Sequence, residues 1–386
     1  MKRILFLTEG YMKSSLPNAI CLKKIIQYLE SIGNEIFVIS AESEVFANDT
    51  RCYYFCSKQS RTEHAINKLI RYPVANLFKV KSYISASEFV LVNNTIDLIV
   101  SVTNPVETAE AIKFIKRKHP DIKCCLYEID PASNRYKHTK SFFQKWLKLR
   151  ARHWEKSVYS HFESIIHMKS HKYYYSSEFY SSFVSNSLYW DIPAVSKMNL
   201  PFEKNHNTGN RLQLIYAGAF YKDLRNPNGL IQSLIQLSTY LTADIYLYIN
   251  DIMFKDVEKM IHGLSNIHLS HYIPEQELNQ KIIQCDALLS LGNKDSDFLP
   301  SKIFSYMSTG KAIIHFSFDK NDVAIEYLKR YPKSLLLNCY NPENGKMIYD
   351  FLTSNVANSS IDMDFVYREF YENSVEFSAK GFLKLV

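Results

Sequence analysis

A loop-to-helix segment in the C-terminal half combines residue types that suit a bound anion. Pro300, Ser301 and Lys302 stand where a polar loop gives way to a helical pattern. Serine is a favourable N-cap residue, and the unpaired amides of a first helical turn attract anions. A lysine in that turn is unfavourable for the helix dipole unless an anionic ligand offsets it. The pattern indicates either a phosphate site or a surface lysine beside an ordinary helix cap.

Two carboxylates end a predicted strand in the N-terminal half. Glu128 and Asp130 lie in the run YEIDP, where the strand predicted over 122–129 stops. A carboxylate there could orient or deprotonate a substrate hydroxyl group. The alternative is a turn aspartate before a proline. His167 and His171 are predicted to make ordinary tertiary contacts.

A basic and aromatic run occupies residues 135–156. It holds eight lysines and arginines against one acid, Glu155. A helix of this composition, predicted over 139–158, is typical of a membrane-surface element. Its candidate contacts are Lys145, Trp146, Lys148 and Arg152. In the alternative, the aromatic residues pack on the sheet and the cations are merely solvated. Nucleic acid is the other anionic partner to consider, but the sequence shows no recognition module for it.

Glycine usage excludes several nucleotide-binding classes. The chain has ten glycines in 386 residues, and the closest two are nine positions apart. G-x-G-x-x-G and G-x-x-x-x-G-K-[ST] are therefore absent, which excludes a Rossmann dehydrogenase, a P-loop NTPase and a protein kinase. Any phosphate must be bound by helix N-termini and cationic side chains. The net charge of +7 comes from a basic first half, which indicates an anionic partner for that half.

The candidate residues lie in two stretches of the chain, and in each of them a series of predicted strands alternates with predicted helices. The first series fills 1–196 and the second 211–362, with a polar linker over 197–210 between them. Within 363–386, a last amphipathic helix is predicted over 364–385. The predicted strands are 3–8, 35–40, 51–56, 97–102, 122–129, 162–168, 211–217, 244–249, 267–271, 287–291, 312–316 and 334–337. The pattern predicts an α/β protein with two Rossmann-like domains facing each other across a cleft. Ligands would collect outside the carboxyl ends of the strands.

The segment 287–315 resembles the donor-binding motif of the retaining, family-4-type glycosyltransferases with the GT-B fold. The similarity is to bacterial polysaccharide-assembly members with a P-S-K-[IL]-F-E-Y-x-x-T-G-K-P-[IV]-I run. Residues 3–10 resemble the first strand and loop of that family's acceptor domain. Residues 216–227 resemble its first donor-domain strand and basic loop, and 272–278 the turn near the nucleotide base. The resemblance is good over 211–340 and mostly topological over 1–200.

The resemblance implies a metal-independent reaction without a cofactor, in which cations stabilise the departing nucleotide diphosphate. Lys222, Arg225 and Lys302 are the candidates, and arginine presents a fork that matches phosphate. Gly10 and Gly218 would permit close backbone approach to a ligand. For Lys222 and Arg225 the alternative is a surface cation after a strand.

The family usually carries two glutamates eight positions apart in this motif. Aligned on the Thr309–Gly310 pair, these positions are Asp297 and Ser305. Asp297 keeps a carboxylate for the transferred sugar, whereas Ser305 replaces the carboxylate that holds the ribose. Asn293 and Ser301 complete the implied donor-binding set.

A competing pattern overlaps the same segment. Asp295 and Asp297 form a D-x-D pair, which binds a metal–diphosphate complex in a different glycosyltransferase fold. That fold lacks the two series found here, so no metal is predicted.

Together these features predict an enzyme that moves a sugar from a nucleotide-sugar to a lipid-linked glycan of a bacterial surface polysaccharide. Asp130, Arg225 and Lys302 are the predicted catalytic residues. The final helix is expected to cross back to the first domain. The predicted location is the cytoplasm, at the inner face of the cell membrane. Ser305 leaves a nucleotide-sugar-binding pseudo-enzyme or partner subunit as an alternative, and a sugar-nucleotide epimerase of the same fold is another.

Overall fold

The computed structural model describes residues 1–12, 17–58, 60–70, 75–103, 105–133, 142–196, 211–294 and 299–386. The chain divides into two compact units. The first unit comprises Met1–Pro193 and Val375–Val386, and the second unit comprises Ala194–Ser374. The predicted linker 197–210 lies outside the described residues.

The first unit contains a seven-stranded parallel sheet in the order β3-β2-β1-β4-β5-β6-β7. Its strands are β1 (Arg3–Glu9), β2 (Glu35–Glu42), β3 (Cys52–Cys56), β4 (Leu98–Thr103), β5 (Lys123–Glu128), β6 (Ser164–Met168) and β7 (Ser187–Trp190). The central strands are buried along their length, as expected of a sheet covered by helices on both faces. The sequence did not predict β7, because a strand of four residues is too short to show a clear periodicity.

Among the described residues, six helices of the first unit precede the second unit in the chain. They are α1 (Pro17–Ser31), α2 (Arg61–Ile70), α3 (Leu77–Asn93), α4 (Glu107–Lys118), α5 (Phe142–Tyr159) and α6 (Lys172–Tyr175), with 3₁₀ turns at Lys169–His171 and Glu178–Asn186. Helix α1 stops before Gly33, whose φ of 86° is the left-handed conformation of a helix C-terminus. Helix α3 begins at Asn76, whose side chain accepts from the amides of Phe78 and Lys79.

The second unit repeats the arrangement with a six-stranded parallel sheet in the order β10-β9-β8-β11-β12-β13. Its strands are β8 (Leu212–Ala217), β9 (Ala243–Ile249), β10 (Ile267–His271), β11 (Ala287–Leu291), β12 (Ala312–Ser317) and β13 (Ser334–Asn338). The two predicted parallel α/β sheets are therefore confirmed.

In the described part of the second unit, eight helices accompany the sheet. They are α7 (Asn228–Leu237), α8 (Phe254–Met260), α9 (Glu275–Gln284), α10 (Lys302–Met307), α11 (Ala324–Leu328), α12 (Asn344–Thr353), α13 (Asn355–Asn358) and α14 (Met363–Glu369), with a 3₁₀ turn at Asp251–Met253. Apolar side chains of the strands and of α7, α8 and α12 form one buried cluster.

The C-terminal segment is not the single helix predicted over 364–385. Helix α14 is followed by a 3₁₀ turn at Tyr371–Asn373 and then by α15 (Val375–Leu385). The break occurs because Ser374 is extended and forms a β-bridge with Val195, whose amide donates to the Asn373 carbonyl at 2.8 Å. Helix α15 packs in the first unit, where the Phe382 ring meets Phe6 and Trp190 at centroid distances of 5.7 and 5.0 Å.

Candidate functional site

The strand order of the second unit reverses between β8 and β11. The connections that leave these two neighbours therefore depart toward opposite sides and open a crevice at the carboxyl ends. Ligands of doubly wound sheets bind at such a point. The loop over 218–227 follows β8, and the loop that begins at Gly292 follows β11. The predicted cations Lys222 and Arg225 and the predicted polar residue Asn293 all lie in these two loops.

The loop after β8 is a tight turn that carries Arg225 at its end. The amides of Tyr221 and Arg225 each donate to the other's carbonyl, at 3.1 and 3.0 Å. At the start of the loop, a Cβ atom on Gly218 would lie 2.8 Å from the hydroxyl of Tyr216. Glycine at this position is thus explained by the Tyr216 ring. Lys222 is exposed in the middle of the turn.

Arg225 is tied to the neighbouring loop through its side chain. Its Nε donates to Oδ1 of the buried Asn293 at 3.0 Å, and the amide of Lys294 donates to the Leu224 carbonyl at 2.8 Å. These bonds join the two loops that border the crevice. The bond from Nε also restrains the Arg225 guanidinium group and leaves its two terminal nitrogens for a bidentate anion.

Lys302, at the start of α10, shares this environment with Arg225. Desolvation by the surrounding protein and the nearby Arg225 guanidinium lower the pKa of the Lys302 ammonium group to about 8, and Glu275 opposes the shift. The side chain is nonetheless exposed, so solvent can still reach its amine. A lysine whose pKa is lowered by burial and by a neighbouring guanidinium group marks a candidate functional site, here one suited to an anion.

Ser301 occupies the predicted N-cap position of α10, but its side chain does not cap the helix. Ser301 has helical angles (φ −56°, ψ −27°), and no capping hydrogen bond to its side chain forms among the described residues. The amides of Ile303 and Phe304 already donate to the carbonyls of Pro300 and Ser301. Helix α10 has only six residues, so its dipole is small. Attraction of an anion here depends on the Lys302 side chain rather than on the helix terminus.

Of two more predicted donor residues, the structure describes only Ser305, which belongs to α10. Ser305 is partly exposed and follows Lys302 by three positions, which puts both on the same side of the helix. Asp297, with Asp295 of the D-x-D pair, lies outside the described residues. Among the residues that are described, no group of three or more His, Cys, Asp or Glu side chains could hold a metal ion.

In the first unit, the backbone amides of the loop at Gly10 are hydrogen-bonded to residues of β2. Gly10 has a φ of 68°, which favours glycine. The amides of residues 10–12 donate to the Ala41 carbonyl, Ser40 Oγ and Glu42 Oε1 at 2.9–3.2 Å. These three amides are committed within the unit, so a ligand at this loop would have to use other groups.

The structure separates the two carboxylates at the end of β5. Glu128 is buried, and its Oε2 accepts from the hydroxyls of Tyr159 and Tyr175 at 2.6 and 2.5 Å. His167 Nδ1 lies 3.0 Å from the same oxygen. Glu128 and His167 therefore hold the core together, as predicted for the histidine.

Asp130 is the more accessible carboxylate, with 37% of its side chain exposed. Burial and the nearby Glu128 raise the pKa of Asp130, and His171 opposes this rise. Nε2 of the buried His171 lies 3.9 Å from Asp130 Oδ1. The sequence did not single out His171 as a neighbour of Asp130, because β6 and the following turn bring it there from 41 positions away.

A second buried carboxylate, Glu155, anchors α5. It accepts from the Ser133 amide at 2.8 Å and from the hydroxyls of Tyr174 and Tyr180. Burial and the neighbouring Glu128 raise its pKa to about 7. The one acid of the basic run is thus part of the core. The signal in the sequence was its helical spacing from the buried residues Ala151, Val158 and Tyr159.

The outer face of α5 exposes an apolar row with basic neighbours. Phe142, Trp146 and Leu149 are 87, 41 and 52% exposed, and Lys145 is exposed beside them. Lys148 is partly exposed. Arg152 is not part of this row, since its guanidinium group lies 4.1 Å from the Phe179 ring centroid of the same unit. Within the described ranges, no helix is both long and apolar enough to cross a membrane.

Three solved structures share this fold along their full length. A sucrose-phosphate synthase from Thermosynechococcus elongatus has a TM-score of 0.66 and 10% identity, over 100% of this chain and 98% of its own. The lipopolysaccharide outer core galactosyltransferase WaaB has a TM-score of 0.60 and 12% identity, over 99% of this chain and 98% of its own. A Listeria monocytogenes protein described as a UDP-N-acetylglucosamine 2-epimerase has a TM-score of 0.61 and 12% identity, over 99% of this chain and 95% of its own.

No protein-family model matches the chain, and no curated protein matches it in sequence. At such low identity the solved structures inform on the fold alone. The two Rossmann-like parallel sheets and this likeness establish the predicted GT-B fold.

Proposed function

We propose that this protein is a glycosyltransferase that uses a nucleotide-sugar donor. The observation that carries the proposal is the pairing of Arg225 and Lys302 at the crevice between β8 and β11. Asn293 fixes one cation, and the other has a pKa lowered by its neighbour. A nucleoside diphosphate would relieve the repulsion between the two cations. The fold supports the proposal, since proteins of similar structure include a sucrose-phosphate synthase and a galactosyltransferase.

The proposed reaction is metal-independent and retains the anomeric configuration. Arg225 and Lys302, assisted by Lys222, would stabilise the negative charge on the departing diphosphate. Asp297 would contact the transferred sugar and Ser305 the ribose, with Gly218 leaving room for the donor. Asp130 in the first unit would orient the acceptor hydroxyl, and the leaving phosphate oxygen would help to accept its proton.

The proposed acceptor is a lipid-linked glycan of a bacterial surface polysaccharide, reached at the cytoplasmic face of the cell membrane. The support is the outer face of α5, where Lys145 lies beside the exposed side chains of Phe142, Trp146 and Leu149; Lys148 is a partly exposed cation farther round the same helix. Aromatic and basic residues on one helix face suit the interface of an anionic bilayer.

The experiment that tests the donor site is a thermal-shift screen of the intact protein against nucleoside diphosphates and nucleotide-sugars. At a ligand concentration 100 times Kd, mass action stabilises the protein by about 2.7 kcal/mol. For a unit of this size, this corresponds to a rise in Tm of about 5–10 °C. A panel of uridine, guanosine, adenosine, cytidine and thymidine diphosphates that leaves Tm unchanged would refute the proposal.

The pH dependence of nucleotide affinity follows from the lowered pKa of Lys302. The ammonium group is charged below pH 8 and loses its proton above it, so affinity is lost as pH rises. Between pH 7.5 and 9 we expect the Kd of the preferred nucleoside diphosphate to rise roughly 5–10-fold. Lys302→Arg should abolish this dependence, because arginine stays charged. Calorimetric titration at both pH values measures the effect, and an identical pH dependence in Lys302→Arg would contradict it.

Charge reversal on α5 should weaken membrane binding. Each basic residue near an anionic surface contributes about 1 kcal/mol, so Lys145→Glu with Lys148→Glu should lower partitioning onto phosphatidylglycerol vesicles by about 30-fold or more. The matched control is Lys24→Glu with Lys123→Glu, the same charge change at exposed positions on α1 and β5. Co-sedimentation with anionic and neutral vesicles measures both pairs. Equal partitioning of the two double variants would exclude α5 as the membrane surface.

Two observations favour other activities on the same fold. Ser305 lacks the carboxylate expected of the ribose contact, which favours a nucleotide-sugar-binding partner subunit. The likeness to the Listeria protein favours an epimerase. Incubation with the nucleotide-sugar that raises Tm separates the three: transfer or slow donor hydrolysis supports the glycosyltransferase, an epimerised nucleotide-sugar supports the epimerase, and binding without turnover supports the partner subunit.

A further inference from the structure

We propose that His315 is a positioning residue for the diphosphate site, and that it holds Arg225 in place through the loop after β11. The inference rests on the proposed donor binding by the second unit. It assigns a role to a buried polar network that lies behind the crevice and does not itself contact the nucleotide.

The network joins β11, β12 and the start of α11. His315 on β12 is fully buried and pairs in register with Ser290 on β11. Its Nδ1 lies 3.0 Å from Ser290 Oγ, and its Nε2 lies 3.1 Å from Asp322 Oδ2. The other carboxylate oxygen of Asp322 accepts from the Ala324 amide at 2.9 Å. Since a carboxylate can only accept, a neutral His315 ring carries its proton on Nε2 and accepts from Ser290 at Nδ1.

Asp322 contacts Gly292, the first residue of the loop after β11. A Cβ atom on Gly292 would lie 1.9 Å from Asp322 Oδ2, so the carboxylate presses against the backbone of this residue. The Gly292 amide also donates to the Phe316 carbonyl at 2.8 Å. The first residue of the loop is thereby fixed between β12 and Asp322, and the next residue is Asn293.

Asn293 carries the effect to the phosphate site. Its Oδ1 accepts from Arg225 Nε at 3.0 Å. His315 orients Asp322, Asp322 restrains Gly292, and Gly292 sets the position from which Asn293 holds the guanidinium group. A buried histidine–carboxylate pair is a costly way to stabilise a core, because apolar residues of similar volume often serve at least as well. Because the His315–Asp322 pair supports the residue next to Asn293, which binds Arg225, the pair can serve the phosphate site as well as stability.

The test compares two substitutions that each keep half of the imidazole's contacts. The side-chain amide of asparagine takes the place of Nδ1, and that of glutamine takes the place of Nε2. We expect His315→Gln, which keeps the Asp322 contact, to bind the preferred nucleoside diphosphate within about twofold of wild type. His315→Asn, which loses that contact, should bind about 5–20-fold more weakly and raise the KM for the donor while leaving the KM for the acceptor unchanged.

A thermodynamic cycle with Arg225 distinguishes positioning from general destabilisation. If His315 acts through Arg225, His315→Asn should have little further effect on Kd in an Arg225→Ala background. Ser233→Ala is the control, because Ser233 is buried in the same unit and bonds to Gly229 and Asn344. It should lower Tm with an unchanged Kd.

A second variant keeps the test decisive if His315→Asn does not fold. Asp322→Ala removes the acceptor of both the His315 ring and the Ala324 amide, and we expect a several-fold weaker Kd. Wild-type affinity in whichever of these two variants folds overturns the inference. Failure of the wild-type protein to bind any nucleoside diphosphate instead refutes the proposed function.

Discussion

Arg225→Ala should weaken the binding of the preferred nucleoside diphosphate by roughly 100-fold. A charge-assisted hydrogen bond contributes about 1.5–3 kcal/mol, and the guanidinium fork can make two such bonds to a diphosphate. The geometry favours a large effect, because the bond from Nε to Asn293 at 3.0 Å preorganises the group before the ligand arrives. Arg225→Lys should lie between the two, at about a tenfold loss, since lysine keeps the charge but loses both the fork and the bond to Asn293.

The measurement is calorimetric titration at physiological salt, with Tm recorded for each variant. The matched control is Lys259→Ala, an exposed cation in the last turn of α8. Because the end of α8 leads into the start of β10, Lys259 lies at the amino ends of the strands, away from the crevice. Its removal should leave Kd unchanged. An Arg225→Ala variant with wild-type Tm and wild-type Kd would overturn the assignment of Arg225 to phosphate.

Asp130→Asn should lower the rate of sugar transfer by about 10- to 100-fold, because a hydrogen bond from the acceptor hydroxyl to a charged carboxylate contributes about 1.5–3 kcal/mol. Donor affinity should stay at the wild-type value, because Asp130 belongs to the first unit and the diphosphate cations to the second. The pKa of Asp130 is raised by burial and Glu128. The ionised form is required to accept a hydrogen bond from the acceptor, so the wild-type rate should fall as pH drops through this raised pKa.

The control for this result stands at the other end of the same strand. Asp121 is exposed just before β5, whereas Asp130 follows it. Asp121→Asn makes the same chemical change without approaching the carboxyl end of the sheet, and should leave the rate unchanged. Transfer kinetics over a pH series will show whether Asp130→Asn loses the acidic limb of the profile. A wild-type rate in this variant would remove Asp130 from the mechanism.

Much of the fold could be predicted from short-range patterns. Strands β10 and β11 have the boundaries predicted for them. Strand β11 is a buried, nearly continuous apolar run, as is typical of a central parallel strand. Strand β10 lies at the sheet edge and starts with alternating apolar and polar residues. The end of α1 at Gly33 follows from the same kind of local signal. The break before α15 could not be predicted, since it depends on the bridge between Val195 and Ser374, which are 179 positions apart. The cap at Ser301 failed for a related reason: one turn of sequence cannot show which groups its amides will meet.

The sequence by itself determined the alternation of strands and helices, the absence of glycine-rich phosphate loops, and the identities of the cations and carboxylates available for chemistry. These are properties of neighbouring residues and of composition. Only the tertiary structure decided which of them work together. It joined Arg225 to Asn293 across two loops, buried Glu128 and Glu155 among tyrosines, and turned Arg152 onto Phe179. Such contacts depend on distance in space between residues far apart in the chain, and no local pattern encodes that distance.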